Sequence, residues 1–524
     1  MKKGFTLIEL LAVILILGII ALIAIPTVNN ILKEARRGAF SSTLTNIEKA
    51  IEEKCTMEQI KNQEITTMYT ITNGVISPSL DIKGDLPDGT IEVNTNCEVA
   101  FILSDKNFTG TKDFVSDIVI TDESTNNTPT VIYEEAILNG AVPELYEGLI
   151  PVTIANDGTV KKANEYTKWY SYAEKKWANA VILKESGKVE LNGTIKEESI
   201  KAYFVWIPRY KYKLFDMGNY NTAYGSKPSV SNAKTIEIIF ENKTTPVSTG
   251  ANVGEYHSHP AFQTFDTNGL WVSKFEASGT TSAVEIKPNQ TSLRNIDLYT
   301  MFISSLQYMQ DNNSHMMKNT EWGAITYLSL SEYGINKEIN INNNSNYITG
   351  YSSVINIDDA SFTGAYGTDS TVTKPYNTEV GYKASSTGNI TGVYDMTGGA
   401  KEYMSSYKDK AYTGSGFRYH PAIDYDPKYF DLYNVDSIEV DFLNRILGDA
   451  TGELGPFYFY QAADGYNKVH SSWWGDLANF VGSGYYWFCR GGDYSIGTLA
   501  GQLYFDRVIG QAVDNASFRV VLAK

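Results

Sequence analysis

The residues in this 524-residue chain whose types invite chemistry are few and far apart. His257-Ser-His259 sets two imidazoles two residues apart, which on a strand face the same way and could share a metal. No third ligand at fixed spacing accompanies them, so packing is the simpler role. Asp424, Asp426 and Asp431 form an oxygen-rich loop of the kind that holds calcium. In a chain with 44 basic and 60 acidic residues, a solvated acidic loop is the default, and calcium is the one cofactor the sequence leaves open. Three cysteines are present. Cys55 and Cys97 either form a disulfide tying a helix end to a sheet or pack as two buried thiols, and Cys489 stands alone beside Trp487 and Phe488. There is no phosphate-binding P-loop, no Gly-x-Ser-x-Gly elbow and no His-Glu-x-x-His zinc motif. The remaining oddity is Glu9, a carboxylate inside the otherwise apolar run Phe5–Ile25.

That run is long enough to cross a bilayer once, and no small-residue cleavage site follows Ile25. The chain continues with Ile31, Leu32, Ala35, Phe40, Leu44, Ile47 and Ile51 at helical spacing. One helix over 5–54 would be about 75 Å long at 1.5 Å per residue. Gly18 and Pro26 are its expected soft points. Lys3-Gly-Phe-Thr-Leu-Ile-Glu-Leu-Leu11 closely resembles the type IV prepilin cleavage and methylation motif. The resemblance implies a leader of residues 1–4, cleavage after Gly4 by a prepilin peptidase, and methylation of the new terminus at Phe5. It also implies that Glu9 pairs with the terminal amine of a neighbouring subunit, which would make its burial tolerable.

From 55 to 139 the pattern turns to short strands, such as Thr66–Thr72, Ile91–Val93, Glu98–Leu103 and Asp117–Thr121, as in a small pilin-type head. Residues 140–202 read as a small β-rich spacer module or as the opening sheet of the next domain, with Trp169 and Trp177 as packing anchors. Net charge −16 argues against an electrostatic nucleic-acid binder, and 20% charged residues with 13% aromatics rule out wholesale disorder.

Residues 203–524 are rich in Gly, Asn, Ser and Tyr, with helical patterns only near Leu298–Gln310 and Glu321–Tyr333. Phe204-Val-Trp-Ile-Pro-Arg-Tyr210, Gly269-Leu-Trp-Val-Ser-Lys-Phe-Glu276 and Lys318-Asn-Thr-Glu-Trp-Gly323 supply early blocks of one pattern. Later blocks are Thr391-Gly-Val-Tyr-Asp-Met-Thr-Gly-Gly-Ala-Lys-Glu402, Cys489-Arg-Gly-Gly-Asp-Tyr-Ser495 and Ser517-Phe-Arg-Val-Val521. In order, these are similar to the formylglycine-generating-enzyme/sulfatase-modifying domain, a C-type-lectin-type fold. Its oxidase members need a cysteine pair between the last two blocks to hold copper. Between Gly491 and Phe518 there is none, so the resemblance implies the fold without the enzyme.

The stretch Ser495–Arg519 also resembles the variable end of proteins diversified by diversity-generating retroelements. That resemblance implies a fixed scaffold displaying substitutable, ligand-binding residues: Ile496, Leu499, Asp506, Arg507, Val508, Ile509, Val513, Asp514 and Asn515. Each is reachable from an asparagine AAC codon by changing its first two bases, whereas Gln511 is not. Constant-looking Gly497, Ala500, Gly501, Tyr504, Phe505, Gly510 and Ala512 are interspersed with them. Val508 and Ile509, adjacent branched residues in a Gly-rich, turn-like stretch, are expected to be displayed.

The expected fold class is α+β, with a long N-terminal transmembrane and assembly helix, a small antiparallel head and a large C-type-lectin-like domain over 203–524. The expected function is that of a pilus or pilus-like filament subunit carrying an adhesin domain, with no enzymatic activity. Its partners would be other pilin subunits, the prepilin peptidase and a surface ligand, protein or glycan, but not nucleic acid. The precursor would sit in the cytoplasmic membrane by a single span, with most of the chain outside, before reaching the surface. A secretion or DNA-uptake pseudopilin contacting cargo is the alternative, and a formylglycine-generating-type oxidase ranks below it.

Overall fold

The computed structural model describes residues 7–122 and 142–524 except 62–64, 67, 73, 81, 83, 95, 113, 115–117, 164–168, 186–188, 190–192, 216–232, 354–373, 409–415, 418–420, 434–451, 457, 462–467, 472 and 482–483; of residues 7–31 it describes only the backbone. The chain divides into two compact units, Met1–Ile132 and Tyr133–Lys524.

In the first unit, helix α1 (Leu7–Ile60) runs unbroken through the positions of Gly18 and Pro26 and six residues beyond the expected end at Lys54. Met57, Gln59 and Ile60 carry no apolar period, which is why the last turn and a half is not legible in the sequence. Residues 32–39 are exposed, and burial begins at Phe40. From there Phe40, Leu44, Ile47, Ile51 and Cys55 form a stripe at three- and four-residue spacing. The stripe packs on a six-stranded antiparallel sheet: β1 (Met68–Thr72), β2 (Val75–Ser77), β3 (Asp88–Val93), β4 (Val99–Ser104), β5 (Phe108–Lys112) and β6 (Val119–Asp122), in the order β2-β1-β3-β4-β5-β6. The approach is close, because a Cβ on Gly110 would lie 2.1 Å from Leu44 Cδ1. Among the described residues no helix is long and apolar enough to cross a membrane; the Phe5–Ile25 run falls where side chains, or the residues themselves, lie outside the described part.

The second unit is built on two large sheets. One has the order Thr194–Ile195, Val160–Lys162, Ile150–Ile154, Asn179–Leu183, Ile200–Pro208, Gly269–Ser273, Val520–Leu522, His315–Met316. The strands of 140–202 are therefore not a spacer module. They form half of the main sheet, and an expected boundary at 202/203 would cut the strand Ile200–Pro208, whose residues are nearly all buried. Trp177 is buried and donates from Nε1 to Tyr333 O at 2.8 Å, which ties this half to the rest.

The other sheet has the order Asp431–Tyr433, Lys401–Lys408, Trp487–Gly491, Gly501–Val508, Leu477–Ala478, Lys468–Ser471, Tyr458–Gln461, with Ala516–Ser517 paired in parallel to Lys401–Glu402. Helix α2 (Leu298–Leu306) is capped by Asp297, which accepts from Thr300 N. Helix α3 (Asn319–Ser329) is buried along its whole length, and Trp322 donates to Gln502 O at 2.8 Å. Arg519 stitches the two sheets together. Its guanidinium pairs with Glu402 of one sheet and donates to Ser273 O of the other, at zero exposure.

Candidate functional site

The blocks most specific in the sequence frame one face of the second unit. Gly491 and Gly492 have φ of 79° and 73°, left-handed values that favour glycine. They turn the chain out of the strand Trp487–Gly491. Asp493 then organises the exit, accepting from Ser495 N and from Asn515 Nδ2, both at 2.9 Å. After this turn Gly501 lets the backbone press on Asp476, because a Cβ there would meet Asp476 Oδ2 at 2.0 Å. The strand Gly501–Val508 comes next, antiparallel to Trp487–Gly491, with Val508 opposite Trp487.

Residues 509–515 return along the face and are held by their main chain. Ile509 O accepts from Gly416 N (2.7 Å), Gly510 O from Leu298 N (3.0 Å) and Gln511 O from the Tyr403 hydroxyl (2.8 Å). Val513 O accepts from Asn295 N (2.9 Å), Asn515 O from Lys401 N (3.0 Å), and Asp514 O from Arg294 Nη1. Every one of these donors lies outside the segment. None of the bonds uses a side chain of the segment itself.

Burial along the face separates two classes of position. Gly497, Ala500, Gly501, Tyr504, Phe505 and Gly510 are buried, as a fixed scaffold requires, while Ala512 is exposed. Leu499 is 45% exposed, Arg507 and Asp514 are exposed, and Ile496, Asp506, Ile509, Val513 and Asn515 are half-buried. Val508 departs from the expectation of display. It is only 7% exposed, because the strand continues through it and alternation turns Arg507 outward and Val508 inward. The chain leaves the strand at Gly510, whose φ is 77°. Asp506 is held in place by Asn479 Nδ2 at 3.1 Å and by Tyr504 OH at 3.3 Å.

Two residues that bear on this face, Arg294 and Tyr347, give no linear signal, and they meet Tyr494 of the Cys489–Ser495 block. Arg294 lies 3.9 Å over the ring of Tyr347, and Tyr347 meets Tyr494 edge-on at 5.0 Å between centroids. Arg294 and Tyr347 come from two distant loops, and Tyr494 opens the short 3-10 helix Tyr494–Leu499. Burial, with Tyr494 and Asp493 nearby, pushes the Tyr347 hydroxyl up to about 12.

The other sequence candidates resolve into structural roles. The rings of His257 and His259 both contact Tyr212; His257 Nδ1 meets Gly250 O at 3.1 Å, and His259 Nδ1 accepts from Ala261 N. Asp431 is buried and accepts from Thr320 N at 2.8 Å at the start of α3. Asp426 accepts from Lys428 N and pairs with its ammonium at 3.5 Å. Two of the three carboxylates of the calcium loop are thus engaged locally. Among the described residues no group of three or more His, Cys, Asp or Glu is placed to hold a metal. Cys489 is buried opposite Tyr403, and burial pushes its thiol far above the ordinary range, the opposite of an activated thiolate.

In the first unit Cys55 and Cys97 are bonded, with Cα atoms 5.6 Å apart. Nearby Glu58 accepts from Thr66 N at 2.8 Å and pairs with Lys54 at 3.1 Å. Burial raises this carboxyl, but those contacts together hold it below its ordinary value. Gly4 and Phe5 lie outside the described residues, as does the side chain of Glu9.

Residues 1–25 match the model of the prokaryotic N-terminal methylation motif. The match supports a type IV pilin-like precursor, processed by a prepilin peptidase and assembled with other pilin subunits into a surface filament. No curated protein matches the chain.

Proposed function

We propose that this chain is a pilin-like filament subunit whose large unit is a C-type-lectin-like binding domain. The binding face is built from Ile496, Leu499, Asp506, Arg507, Ile509, Val513, Asp514 and Asn515. One observation carries the proposal: six carbonyls of 509–515 are held by donors from the surrounding scaffold. A segment fixed by its main chain keeps its path when its side chains change. That is what a substitutable recognition loop needs, whether its ligand is protein or glycan. Six of the seven constant-looking residues are buried while all eight residues of this face are exposed or half-buried, which supports the same reading.

The test is adhesion by cells that display the filament. Leu499→Asp combined with Asp514→Lys should abolish binding to the natural target surface while leaving filament assembly intact. Unchanged adhesion at normal filament number would refute a binding role for this face.

A further inference from the structure

The binding face is richer in hydrocarbon than in free hydrogen-bonding groups. Ile496, Leu499, Ile509 and Val513, four of its eight residues, are branched aliphatics. Leu499 is 45% exposed, and Ile496 and Val513 stay half-exposed while resting on the core. Two of the four polar members are already engaged. Asp506 accepts from Asn479 Nδ2 and Arg507 N on Oδ1, and from the Tyr504 hydroxyl on Oδ2. Asn515 gives Nδ2 to Asp493 Oδ2. The guanidinium of Arg507 lies 5.5 Å over the exposed ring of Tyr485 and covers one side of that plane.

A saccharide carries hydroxyls around most of its ring. Pressed against aliphatic side chains they go unpaired, and each buried unpaired hydroxyl costs free energy. A protein surface brings apolar side chains of its own, which such a face covers without that loss. Charge narrows the partner further. Asp506 and Asp514 bring two carboxylates to the face against the single guanidinium of Arg507. Among the described residues no cation forms an ion pair with either carboxylate. A second copy of this chain, at net −16, meets such a face with repulsion, and so does an acidic polysaccharide.

We propose that the face takes a protein partner, at a segment where aliphatic side chains stand next to Lys or Arg. Leu499, with Ile509 and Val513, covers the aliphatic groups, and the exposed carboxylate of Asp514 takes the cation. The inference rests on the binding face proposed above and selects between the two ligand classes open to it.

The test applies the full chain, held in lipid nanodiscs so that no free detergent masks an apolar patch, to an array of synthetic peptides. Their compositions are aliphatic with basic, aliphatic with acidic, and basic without aliphatic residues; soluble mannan is the competing neutral glycan. We expect binding to the aliphatic-basic peptides alone, undisturbed by mannan. Leu499→Asp should weaken it at least tenfold with an unchanged melting temperature. Asp514→Lys should move the preference to the aliphatic-acidic peptides, which a loss of folding cannot do. Binding to no peptide, equal binding to basic peptides that lack aliphatic residues, or displacement by mannan overturns the proposal. Any of those results, with adhesion still lost in the Leu499/Asp514 double variant, sinks the partner class and leaves the face standing. Adhesion unchanged in that variant defeats the face itself.

Discussion

Val508 separates a displayed strand end from a packed one. Its side chain is 7% exposed opposite Trp487, whereas Leu499 is 45% exposed. Val508→Ala removes two methyl groups, about 1.6 kcal/mol at ~0.8 kcal/mol each, and a partly collapsed cavity brings the cost to about 2–3 kcal/mol. Val508→Asp adds an unpaired carboxylate in the same place and should cost about 4 kcal/mol or more. Leu499→Asp touches little and should stay within about 0.5 kcal/mol. The unit Tyr133–Lys524 has about 390 residues. Its unfolding entropy near the midpoint is then about 0.8 kcal/mol/K, so 4 kcal/mol lowers the melting temperature by about 5 °C. Scanning calorimetry on the full chain should show Val508→Asp melting about 5 °C lower and Leu499→Asp within about 1 °C of the unsubstituted protein. If Val508→Asp melts within about 1 °C, the strand end is not packed and the sequence-based expectation of display is right. A diversified set at this face should exclude position 508, since Asp and Asn are among the residues that AAC mutagenesis would bring.

Gly4→Val should leave the precursor uncleaved, read as an intact N-terminus by mass spectrometry; normal processing would defeat the pilin reading. Replacing Cys55 and Cys97 by Ser opens a loop spanning 42 residues and should cost about 4 kcal/mol by loop entropy, measured as the urea midpoint of the first unit. Gly501→Ala puts a methyl against Asp476 and should destabilise the second unit by about 1–3 kcal/mol without altering filament assembly. Glu276 is buried near Asp395 and Glu402, and its carboxyl is held well above the ordinary range, by burial first and by those two charges next. It therefore holds its proton longer in the folded chain, so its contribution is complete below its ordinary value of 4.5 and is lost as pH rises through the folded value. Glu276→Gln, which keeps an acceptor for Ala400 N, should flatten the fall of melting temperature with rising pH above about 4.5.

The parts of this molecule that are local in sequence are legible there. The apolar stripe of α1, the strands of the head and the short glycine-punctuated blocks each carry their own period or turn chemistry. Phe518-Arg519 and Glu402 stand out as motif residues, and Arg519 and Glu402 meet as the buried ion pair between the sheets. What a linear pattern does not carry is pairing across distance. Residues 150–195 have the turn spacing of a small independent sheet, and only the neighbouring strand Ile200–Pro208 shows that they share a larger one. Arg294 and Tyr347 lie in ordinary loops, and nothing in their spacing sets a guanidinium 3.9 Å above a ring. Val508 reads as displayed because its surroundings are turn-like, but the glycine that ends its strand, Gly510, lies two residues further on, and alternation persists through Val508.

The place of the strand Val520–Leu522, between Gly269–Ser273 and His315–Met316, governs when this unit can finish folding. The edge of Gly269–Ser273 waits for a partner almost 250 residues downstream. At about 5–20 residues per second of synthesis, that edge stays open for roughly 12–50 s. An open, apolar strand edge invites pairing with any other nascent chain. The arrangement therefore makes crowding during biogenesis, rather than final stability, the stage at which this protein is most easily lost. A holdase acting in that interval should raise its yield more than any stabilising substitution.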